Sequence, residues 1–352
     1  MNNFADRLLD AIKERGNPSC VGLDPRISNM PERIRQEALK RYGNNTGAVA
    51  EAIVKFNTVI IDAIADIVPA IKPQIAFYEK YGSYGIEAFE RTIEYAKSKG
   101  LIVIEDAKRN DIGSTAQAYA DGHLGEIELC DGSQISGFNV DAITVNAYLG
   151  IDGVKPFIDS CQKYGKGIFI LDRTSNLSAG DLQDKIVELE DWQIDLINEC
   201  LEVTGIKLGT LPQMQKIKEV NRAPNYVVMA TLIHLWGKES IGEKGYSSIG
   251  AVIGATYPQE AKVLRRIMPN TLILVPGYGV QGATAKDVVH SFNDDGCGAI
   301  VNSARGIIFA YQREPYKSRY SPEEFGAAAR AAALDMKNDI NQALKEAGKL
   351  SW

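Results

Sequence analysis

The stretch LIVIEDAKRNDIGSTA, residues 101–116, ends a short apolar run in a cluster of charged side chains. The apolar residues predict a buried strand over Leu101–Glu105, and Asp106, Lys108 and Asp111 follow within about six residues of its end. Charges that leave a core must be paired, solvated or used, because an isolated buried charge is costly. The same pattern also fits a solvated strand-to-helix turn in which Asp111 caps the next helix, so the rest of the chain must decide.

Length, composition and charge favour a globular protein with a full core. The chain has 352 residues, of which 45% are hydrophobic and 24% are charged, and these fractions are ordinary for a soluble domain. The net charge of −6 argues against a broad nucleic-acid surface. It leaves room for a local basic pocket that binds a small phosphorylated ligand.

Cysteine and histidine usage predicts neither a disulfide frame nor a metal site. The five cysteines are scattered without a C-x-x-C motif, and the three histidines lack the spacing of metal ligands. This pattern is typical of reduced thiols in the cytosol, so we expect a cytoplasmic location. The amino-terminal segment reads as an amphipathic helix rather than a signal peptide, and no window approaches a membrane span. We therefore expect no metal, no membrane and no nucleic-acid partner.

Short apolar runs alternate with longer helical patterns along the chain. The predicted strands are Ser19–Leu23, Ile67–Ile71, Leu101–Glu105, Ala142–Val145, Gly167–Leu171, Ile249–Ile253, Leu272–Val275 and Ala299–Val301. The helical patterns between them include Val49–Asp66, Gly85–Lys99, Gly153–Tyr164, Gln259–Met268 and Thr284–Phe292. Repeated β–α units imply a parallel sheet in an α/β fold, and eight units fit a closed (β/α)8 TIM barrel. An open, doubly wound sheet remains an alternative, because periodicity does not reveal closure.

Two excursions break this rhythm within what we expect to be a single domain over residues 1–352. Residues 117–140, between the third and fourth strands, look irregular. Residues 177–247, between strands five and six, contain two helical patterns and no Pro-, Gly- or Ser-rich linker. This composition predicts a helical insertion on the barrel rather than a second domain. The Ala-rich carboxyl-terminal tail is predicted to form a helix across the outside of the barrel.

Polar and charged residues recur where the predicted strands end. In addition to the cluster at 106–111, the strand ends deliver Asp24, Lys72, Asn146, Ser175 and Arg305. The active site of an α/β barrel lies at the carboxyl ends of its strands. We therefore expect these side chains to converge at one mouth of the barrel.

The loop Gly277–Gly282 reads GYGVQG and formally matches the G-x-G-x-x-G dinucleotide fingerprint. A lone match that follows the seventh predicted strand, rather than the first, is weak evidence for an NAD-dependent oxidoreductase. Glycines also let backbone N–H groups approach an anion, and the loops after strands seven and eight of barrels often hold phosphate. Arg305 is a charged partner for such a phosphate. The remaining reading is a tight glycine turn beside a surface arginine.

Together these motifs make the sequence resemble the orotidine 5′-monophosphate decarboxylase family, from about Cys20 to about Phe309. The most specific motif is D-x-K-R-x-D-I-x-x-T at Asp106–Thr115. LDPR, the strand-two lysine, RTSN, IGAVIGATYP, PGYGVQG and the final arginine recur in family order. The resemblance fits the longer bacterial-type branch. It implies a (β/α)8 barrel and a carboxy-lyase that converts orotidine 5′-monophosphate to uridine 5′-monophosphate and CO2, the last step of de novo UMP synthesis.

By this resemblance, Lys72, Asp106, Lys108 and Asp111 form an alternating charge array, and no cofactor takes part. The resemblance also implies a homodimer with shared sites, in which Asp111 is expected to come from the neighbouring subunit. Lys108 is expected to stabilise the developing carbanion and to protonate C6. Asp106 is expected to lie beside the substrate carboxylate.

The resemblance also implies which residues bind the rest of the nucleotide. Asp24 is expected to bind ribose hydroxyls, and Thr115 to contact the ribose across the subunit interface. Ser175 is expected to contact the pyrimidine edge. Gln281 and Arg305 are expected to bind the 5′-phosphate, with the loop around Gln281 as a candidate lid.

Two further alternatives stay open from the sequence. Sugar-phosphate enzymes of the same superfamily share D-x-K-x-x-D but use magnesium to stabilise an enediolate, and sensitivity to EDTA separates them from a metal-free decarboxylase. A non-catalytic nucleotide-binding barrel is the other, although a binder has no need to cluster two lysines with two aspartates.

Overall fold

The structure is a computed structural model that describes residues 3–203, 221–279 and 282–352. Its centre is a closed barrel of eight parallel strands in the order β1-β8-β7-β6-β5-β4-β3-β2. The strands are β1 Ser19–Leu23, β2 Ala70–Pro73, β3 Ile102–Arg109, β4 Ala142–Val145, β5 Gly167–Arg173, β6 Ser247–Ile253, β7 Thr271–Val275 and β8 Ala299–Ser303. Pairing of β1 with both β2 and β8 closes the barrel. This confirms the predicted barrel and excludes the open sheet.

Helices follow the strands and surround the barrel, as the alternating pattern predicts. They span Phe4–Arg15, Glu32–Tyr42, Thr46–Ile64, Ala76–Glu79, Gly82–Ser98, Gly113–Leu124, Ile151–Tyr164, Asp191–Val203, Asn225–Gly237, Pro258–Ile267, Ala285–Val288, Arg305–Ile308 and Phe325–Glu346. Of the helices in the described ranges, none is both long and apolar enough to cross a bilayer.

Two strands differ from their predicted bounds in ways that matter for the site. Strand β2 begins at Ala70 rather than Ile67, because the amides of Ile67 and Val68 still bond to the preceding helix. Lys72 therefore lies within the strand. Strand β3 continues to Arg109, well beyond the predicted end at Glu105, so the charged motif is part of the barrel wall.

The amino-terminal helix closes the end of the barrel opposite the strand carboxyl ends. Phe4 and Leu8 are buried in one cluster with the inward-facing residues of the strands. The Phe4 ring meets the edge of Phe169 with 5.9 Å between ring centroids. A Cβ at Gly167 would lie 2.1 Å from the Phe4 ring, so only glycine permits this approach. Because this end is filled by apolar side chains, the opposite mouth is the one open to ligands.

The carboxyl-terminal helix Phe325–Glu346 confirms the predicted outer helix. It packs against the helix Thr46–Ile64, and the rings of Phe325 and Phe56 stack with 5.0 Å between their centroids. An ion pair from Arg330 to Asp66 links its exposed side to the same layer. The tail is therefore integrated into the outer layer of the barrel.

The prediction of an irregular segment at 117–140 is wrong in its first third. Gly113–Leu124 is a regular helix whose buried face is made of Ala116, Ala120, His123 and Leu124. Small residues at these positions give a weak apolar pattern, which explains why the helix was not predicted. The remainder is a short antiparallel strand pair, Glu126–Glu128 with Gln134–Ser136.

The first helix predicted in the insertion at 177–247, over Asp181–Val203, begins only at Asp191. The insertion contains the second predicted helix as Asn225–Gly237. It also contains an unpredicted antiparallel pair, Ile186–Glu188 with Arg222–Pro224. Strands of three residues carry no readable periodicity, and these partners are far apart in sequence. Near the carboxyl terminus, the helix predicted over Thr284–Phe292 is a short helix followed by a 3-10 turn.

Candidate active site

A cavity of about 440 Å³ opens at the carboxyl ends of the strands. Its polar lining includes Lys72, Asp106, Lys108, Thr144 and Ser175. Leu171, Val252 and Leu274 supply an apolar wall. A polar cluster set against an apolar wall is the usual form of a small-molecule site, and it lies at the mouth where barrels carry theirs.

Asp106 lies at the centre of the charge array, and its carboxylate accepts a hydrogen bond from each lysine. Lys72 Nζ is 2.6 Å from Asp106 Oδ2, and Lys108 Nζ donates to Asp106 Oδ1. Burial alone would raise the pKa of Asp106, but Lys72 and Lys108 outweigh burial and hold the pKa well below its ordinary value. Asp106 is therefore an anion at neutral pH.

The two lysines differ in their access to a ligand. The Lys72 side chain is 6% exposed, whereas the Lys108 side chain is 46% exposed. Burial alone would lower the pKa of Lys72, but Asp106 and Asp24 outweigh burial and raise it. Lys72 is thus a buried, charged partner of Asp106, and Lys108 is the ammonium that a ligand can reach.

The backbone of Lys108 adopts an unusual conformation, with a φ of 51°. Such left-handed geometry is rare for a residue with a long side chain and costs of order 1–3 kcal/mol. The register between β3 and β4 also shifts between Glu105 and Arg109. Bulges of this kind re-aim side chains next to functional sites, and this one directs Lys108 into the cavity.

Thr144 of β4 was not singled out from the sequence, yet it contacts the centre of the array. Its hydroxyl donates to Asp106 Oδ1 at 3.0 Å and accepts the amides of Ala107 and Lys108, each at 3.0 Å. The available signal was a hydroxyl within the otherwise apolar strand AITV. A buried hydroxyl needs a partner, but the sequence does not say which.

Asp24 follows the end of β1 and lies within electrostatic reach of Lys72 and Asp106. Its Oδ1 is buried without a hydrogen-bond partner among the residues that the structure describes. Burial raises the pKa of Asp24, although Lys72 opposes the shift. A carboxylate oxygen in this state can accept a hydrogen bond from a ligand hydroxyl.

Ser175 and Arg305 each follow the carboxyl end of a barrel strand, β5 and β8 respectively. Ser175 lines the cavity. A Cβ added at Gly254 would lie 2.8 Å from the Cβ of Ser175, so glycine at position 254 allows the loop that carries Ser175 to pack against it. Arg305 begins a short helix immediately after β8. Within 3–203, 221–279 and 282–352, no hydrogen bond or ion pair engages its side chain.

The described glycines of the motif lie between β7 and the following helix. Gly277, Gly279 and Gly282 all have a positive φ, and the amide of Gly279 bonds to the carbonyl of Ala283 at 2.9 Å. The glycines are therefore required by the backbone conformation of the turn. Gln281 lies outside the described residues, so its predicted contact with phosphate stays a prediction.

Asp111 and Thr115 are not among the residues that line the cavity, and neither are Asp24 and Arg305, whereas Lys72, Asp106, Lys108 and Ser175 are. They lie on the loop before the helix Gly113–Leu124 and in its first turn. The backbone of Asp111 contacts Gly153, where a Cβ would come within 3.0 Å of the Asp111 carbonyl. Ile112 is an exposed apolar side chain next to Asp111, and Tyr148, Leu149 and Ile151 are exposed on the segment that leads to Gly153.

The start of the insertion forms one wall of the cavity, a role that the sequence did not reveal. Ala179, Leu182 and Gln183 line it. The side-chain oxygen of Gln183 also accepts a hydrogen bond from the backbone amide of Thr174 at 3.0 Å, and its side-chain nitrogen donates to the Thr174 hydroxyl at 2.8 Å. The insertion is thus joined to the loop that carries Ser175.

These features define a (β/α)8-barrel enzyme with a Lys–Asp–Lys array at the mouth, suited to a small anionic substrate. A family model described as "Orotidine 5′-phosphate decarboxylase / HUMPS family" matches residues 18–317. The chain belongs to this family. The NAD-dependent reading fails, because the fold is a closed barrel and the glycine motif belongs to its seventh unit.

Relatives match over nearly their whole length. The chain is 37% identical over 344 residues to orotidine 5′-phosphate decarboxylase of Caldicellulosiruptor saccharolyticus, covering 98% of this chain and 100% of the relative. It is 38% identical over 340 residues to the protein of the same name from Rhodopirellula baltica, covering 97% and 99%. Membership in the longer bacterial-type branch stays a prediction.

Solved structures agree with this assignment. A putative orotidine-monophosphate decarboxylase from Toxoplasma gondii superposes with a TM-score of 0.71 at 26% identity, covering 99% of this chain and 98% of that one. Leishmania donovani OMP decarboxylase superposes with a TM-score of 0.64 at 26% identity, covering 97% and 98%.

Proposed function

We propose that this chain decarboxylates orotidine 5′-monophosphate to uridine 5′-monophosphate and CO2, as the last step of de novo UMP synthesis. The observation that carries the proposal is the array in which Asp106 lies between Lys72 and Lys108 at the open mouth. The full-length relatives are named for the same activity. The reaction needs fixed charges near the reacting carbon rather than a bound electron acceptor, and this array supplies them.

The mechanism follows from the charge that develops at C6. When the bond from C6 to the carboxylate breaks, the electron pair stays on C6 and CO2 departs. Preorganised charge is an effective means of stabilising such an anion. The exposed ammonium of Lys108 is placed to lie beside C6 and to transfer a proton to it as a general acid. Asp106, which Lys72 holds by a second bond, keeps that ammonium in place.

Asp106 has a second role in this proposal. It is anionic and faces the cavity, so a substrate carboxylate bound next to Lys108 lies close to a like charge. Repulsion between the two disfavours the bound substrate and is relieved as CO2 departs. Binding of the distant phosphate supplies the free energy that holds the substrate against this repulsion.

The other predicted residues each bind a different part of the nucleotide in this proposal. The unpartnered Oδ1 of Asp24 suits a ribose hydroxyl, and Ser175 faces the space for the pyrimidine. Arg305, which is unengaged among the described residues, suits the 5′-phosphate, for which guanidinium is a strong partner. Gln281 is proposed to join it there on the basis of the resemblance.

We further propose a homodimer in which Asp111 and Thr115 complete the site of the partner subunit. Neither residue lines the cavity of its own chain, and exposed apolar side chains lie on the two segments that meet at Asp111 and Gly153. A cluster of exposed apolar residues is typical of an interaction surface. The single-domain organisation and the cytoplasmic location stay predictions.

The first experiment follows the loss of orotate-type absorbance when purified protein is mixed with orotidine 5′-monophosphate, with and without EDTA. Conversion that is insensitive to EDTA is the expected result. Failure of a folded sample to convert the nucleotide would redirect attention to the magnesium-dependent sugar-phosphate reactions. Against that alternative, Asp106 already has an ammonium on each of its oxygens, which leaves it a poor metal ligand.

A matched pair of lysine variants tests the role of Lys108. Lys108→Ala is expected to abolish turnover while the fold and UMP binding persist. Lys13→Ala changes an exposed lysine at the opposite, closed end of the barrel and is expected to have no effect. Near-normal turnover by Lys108→Ala would eliminate the proposed acid.

A further inference from the structure

Thr144 has a hydroxyl whose bonding capacity is completely used. The residue is 1% exposed. A hydroxyl has one donor and two acceptor positions, and the amides of Ala107 and Lys108 occupy both acceptor positions at 3.0 Å. Its single proton is therefore directed to Asp106 Oδ1, 3.0 Å away. The contacts fix the direction of every bond at this oxygen.

The shift in register explains why these amides need such a partner. Glu105 pairs with Ile143, but the next pair is Arg109 with Val145. Strand β3 therefore advances four residues while β4 advances two. The residues between them have lost their regular ladder partners, and a buried amide without a partner is costly. The Thr144 hydroxyl replaces the missing carbonyls.

Thr144 thereby affects Lys108 in two ways, once directly and once through Asp106. It holds the backbone amide of Lys108 in the strained conformation with a φ of 51°. It also bonds to the same Asp106 oxygen that receives the Lys108 ammonium. One side chain consequently fixes both the origin of the Lys108 side chain and the position of the carboxylate that holds its end.

We propose that Thr144 is a positioning residue of the decarboxylase site, acting through Lys108 and Asp106. The inference rests on the proposed function. Without the hydroxyl, the strand relaxes toward regular pairing and the ammonium moves away from C6. Displacing a reacting group by about 1 Å typically costs about a hundredfold in rate. Binding of the ribose and phosphate, which involves other strands, is unaffected.

Two pairs of residues that differ mainly by the hydroxyl provide the test. Thr144→Val replaces the hydroxyl of threonine with a methyl, and Thr144→Ala lacks the hydroxyl that Thr144→Ser retains. We expect Thr144→Val and Thr144→Ala to lower kcat about a hundredfold. Their dissociation constants for UMP should stay within about threefold, and Thr144→Ser should keep most of the activity. If Thr144→Val does not fold, the comparison of Ala with Ser carries the test.

Thr231→Val is the matched control, since Thr231 is a buried threonine whose hydroxyl donates to a backbone carbonyl within the helix Asn225–Gly237. It should leave kcat unchanged. Equal losses in Thr144→Ala and Thr144→Ser would overturn the proposal, because the hydroxyl would then be irrelevant. A loss confined to KM would overturn it as well.

Hydrogen exchange separates failure of this inference from failure of the proposed function. The amides of Ala107 and Lys108 should exchange at least about tenfold faster in Thr144→Ala than in Thr144→Ser, as expected when a protecting bond is lost. Equal exchange in the two variants overturns the positioning role whether or not the protein converts orotidine 5′-monophosphate. Inactive wild-type protein with the expected exchange difference overturns only the decarboxylase assignment, and the hydroxyl then positions Lys108 for another reaction.

Discussion

Replacing members of the charge array one at a time should destabilise the fold in a definite order. Asp106→Asn removes the carboxylate that serves two ammonium groups, and one of them, on Lys72, is only 6% exposed at its side chain. Breaking a buried ion pair by removing one partner costs about 3–5 kcal/mol. Because Asp24 also lies near Lys72, we expect the lower end, about 3 kcal/mol.

Replacing either lysine should destabilise the fold less than Asp106→Asn does. In Lys72→Met, Asp106 keeps Lys108 and the Thr144 hydroxyl, so the loss is one hydrogen bond to a charged group, about 1.5–3 kcal/mol. In Lys108→Met the lost pair is nearly half exposed, and such pairs contribute about 0–1 kcal/mol. The expected order of destabilisation is therefore Asp106→Asn, then Lys72→Met, then Lys108→Met.

Urea unfolding at pH 7.5 measures the three differences, with protein concentration held constant because a dimer gains stability by mass action. The lowered pKa of Asp106 means that its contribution is present above the unfolded pKa of about 4 and is lost as pH falls below it. The difference between wild type and Asp106→Asn should thus be constant from pH 5.5 to 8, roughly, and shrink in acid. If Lys108→Met proves as destabilising as Asp106→Asn, the assigned burial of the array is wrong.

Three further predictions test the mouth, the subunit interface and a buried carboxyl. Arg305→Ala should raise KM for orotidine 5′-monophosphate much more than it lowers kcat, and an unchanged KM would remove Arg305 from the phosphate site. Mixing Lys108→Ala with Asp111→Ala protein should restore part of the activity in mixed dimers, whereas no recovery in confirmed heterodimers would refute sharing of the site. Burial raises the pKa of Asp172 well above its ordinary value, against the opposing effect of Arg173. Between the unfolded pKa of about 4 and the raised pKa of the folded state, the folded protein therefore holds an extra proton, and in that range its stability falls with rising pH by up to about 1.4 kcal/mol per unit. Asp172→Asn should remove that slope in urea titrations at pH 5 and 7.5, and an unchanged slope would contradict it.

The barrel could be predicted from sequence because each strand is an apolar run and each run ends in polar residues. Strand ends were less predictable. The sequence predicts Glu105 as the last residue of its strand, yet Glu105 is fully buried and its carboxylate bonds to His123 at 2.7 Å. A charge seen in sequence suggests a loop, but a partner supplied by a helix eighteen positions later lets the strand continue.

In the candidate site, too, residues whose role follows from the local sequence could be predicted, whereas residues whose role depends on a neighbouring strand could not. Lys72, Asp106 and Lys108 were found because each is a charge at the end of an apolar run. Thr144 was not, since its importance comes from lateral pairing of β4 with a displaced β3. The cavity wall built by Leu182 and Gln183 was missed for a related reason. Nothing in an insertion's composition states which face of the barrel it covers.

The unequal burial of the two lysines gives them different tasks under the proposed function. A general acid must approach the substrate carbon and regain a proton from solvent after each turnover, and only the half-exposed Lys108 has that access. Lys72 is shielded from solvent and bonded to Asp106, so its contribution is to keep that carboxylate ionised and fixed. Asp106 in turn keeps its place through Lys72 and Thr144 even when Lys108 swings toward C6. The array can therefore deliver a proton without losing its geometry, which is what a site that relies on preorganised charge requires.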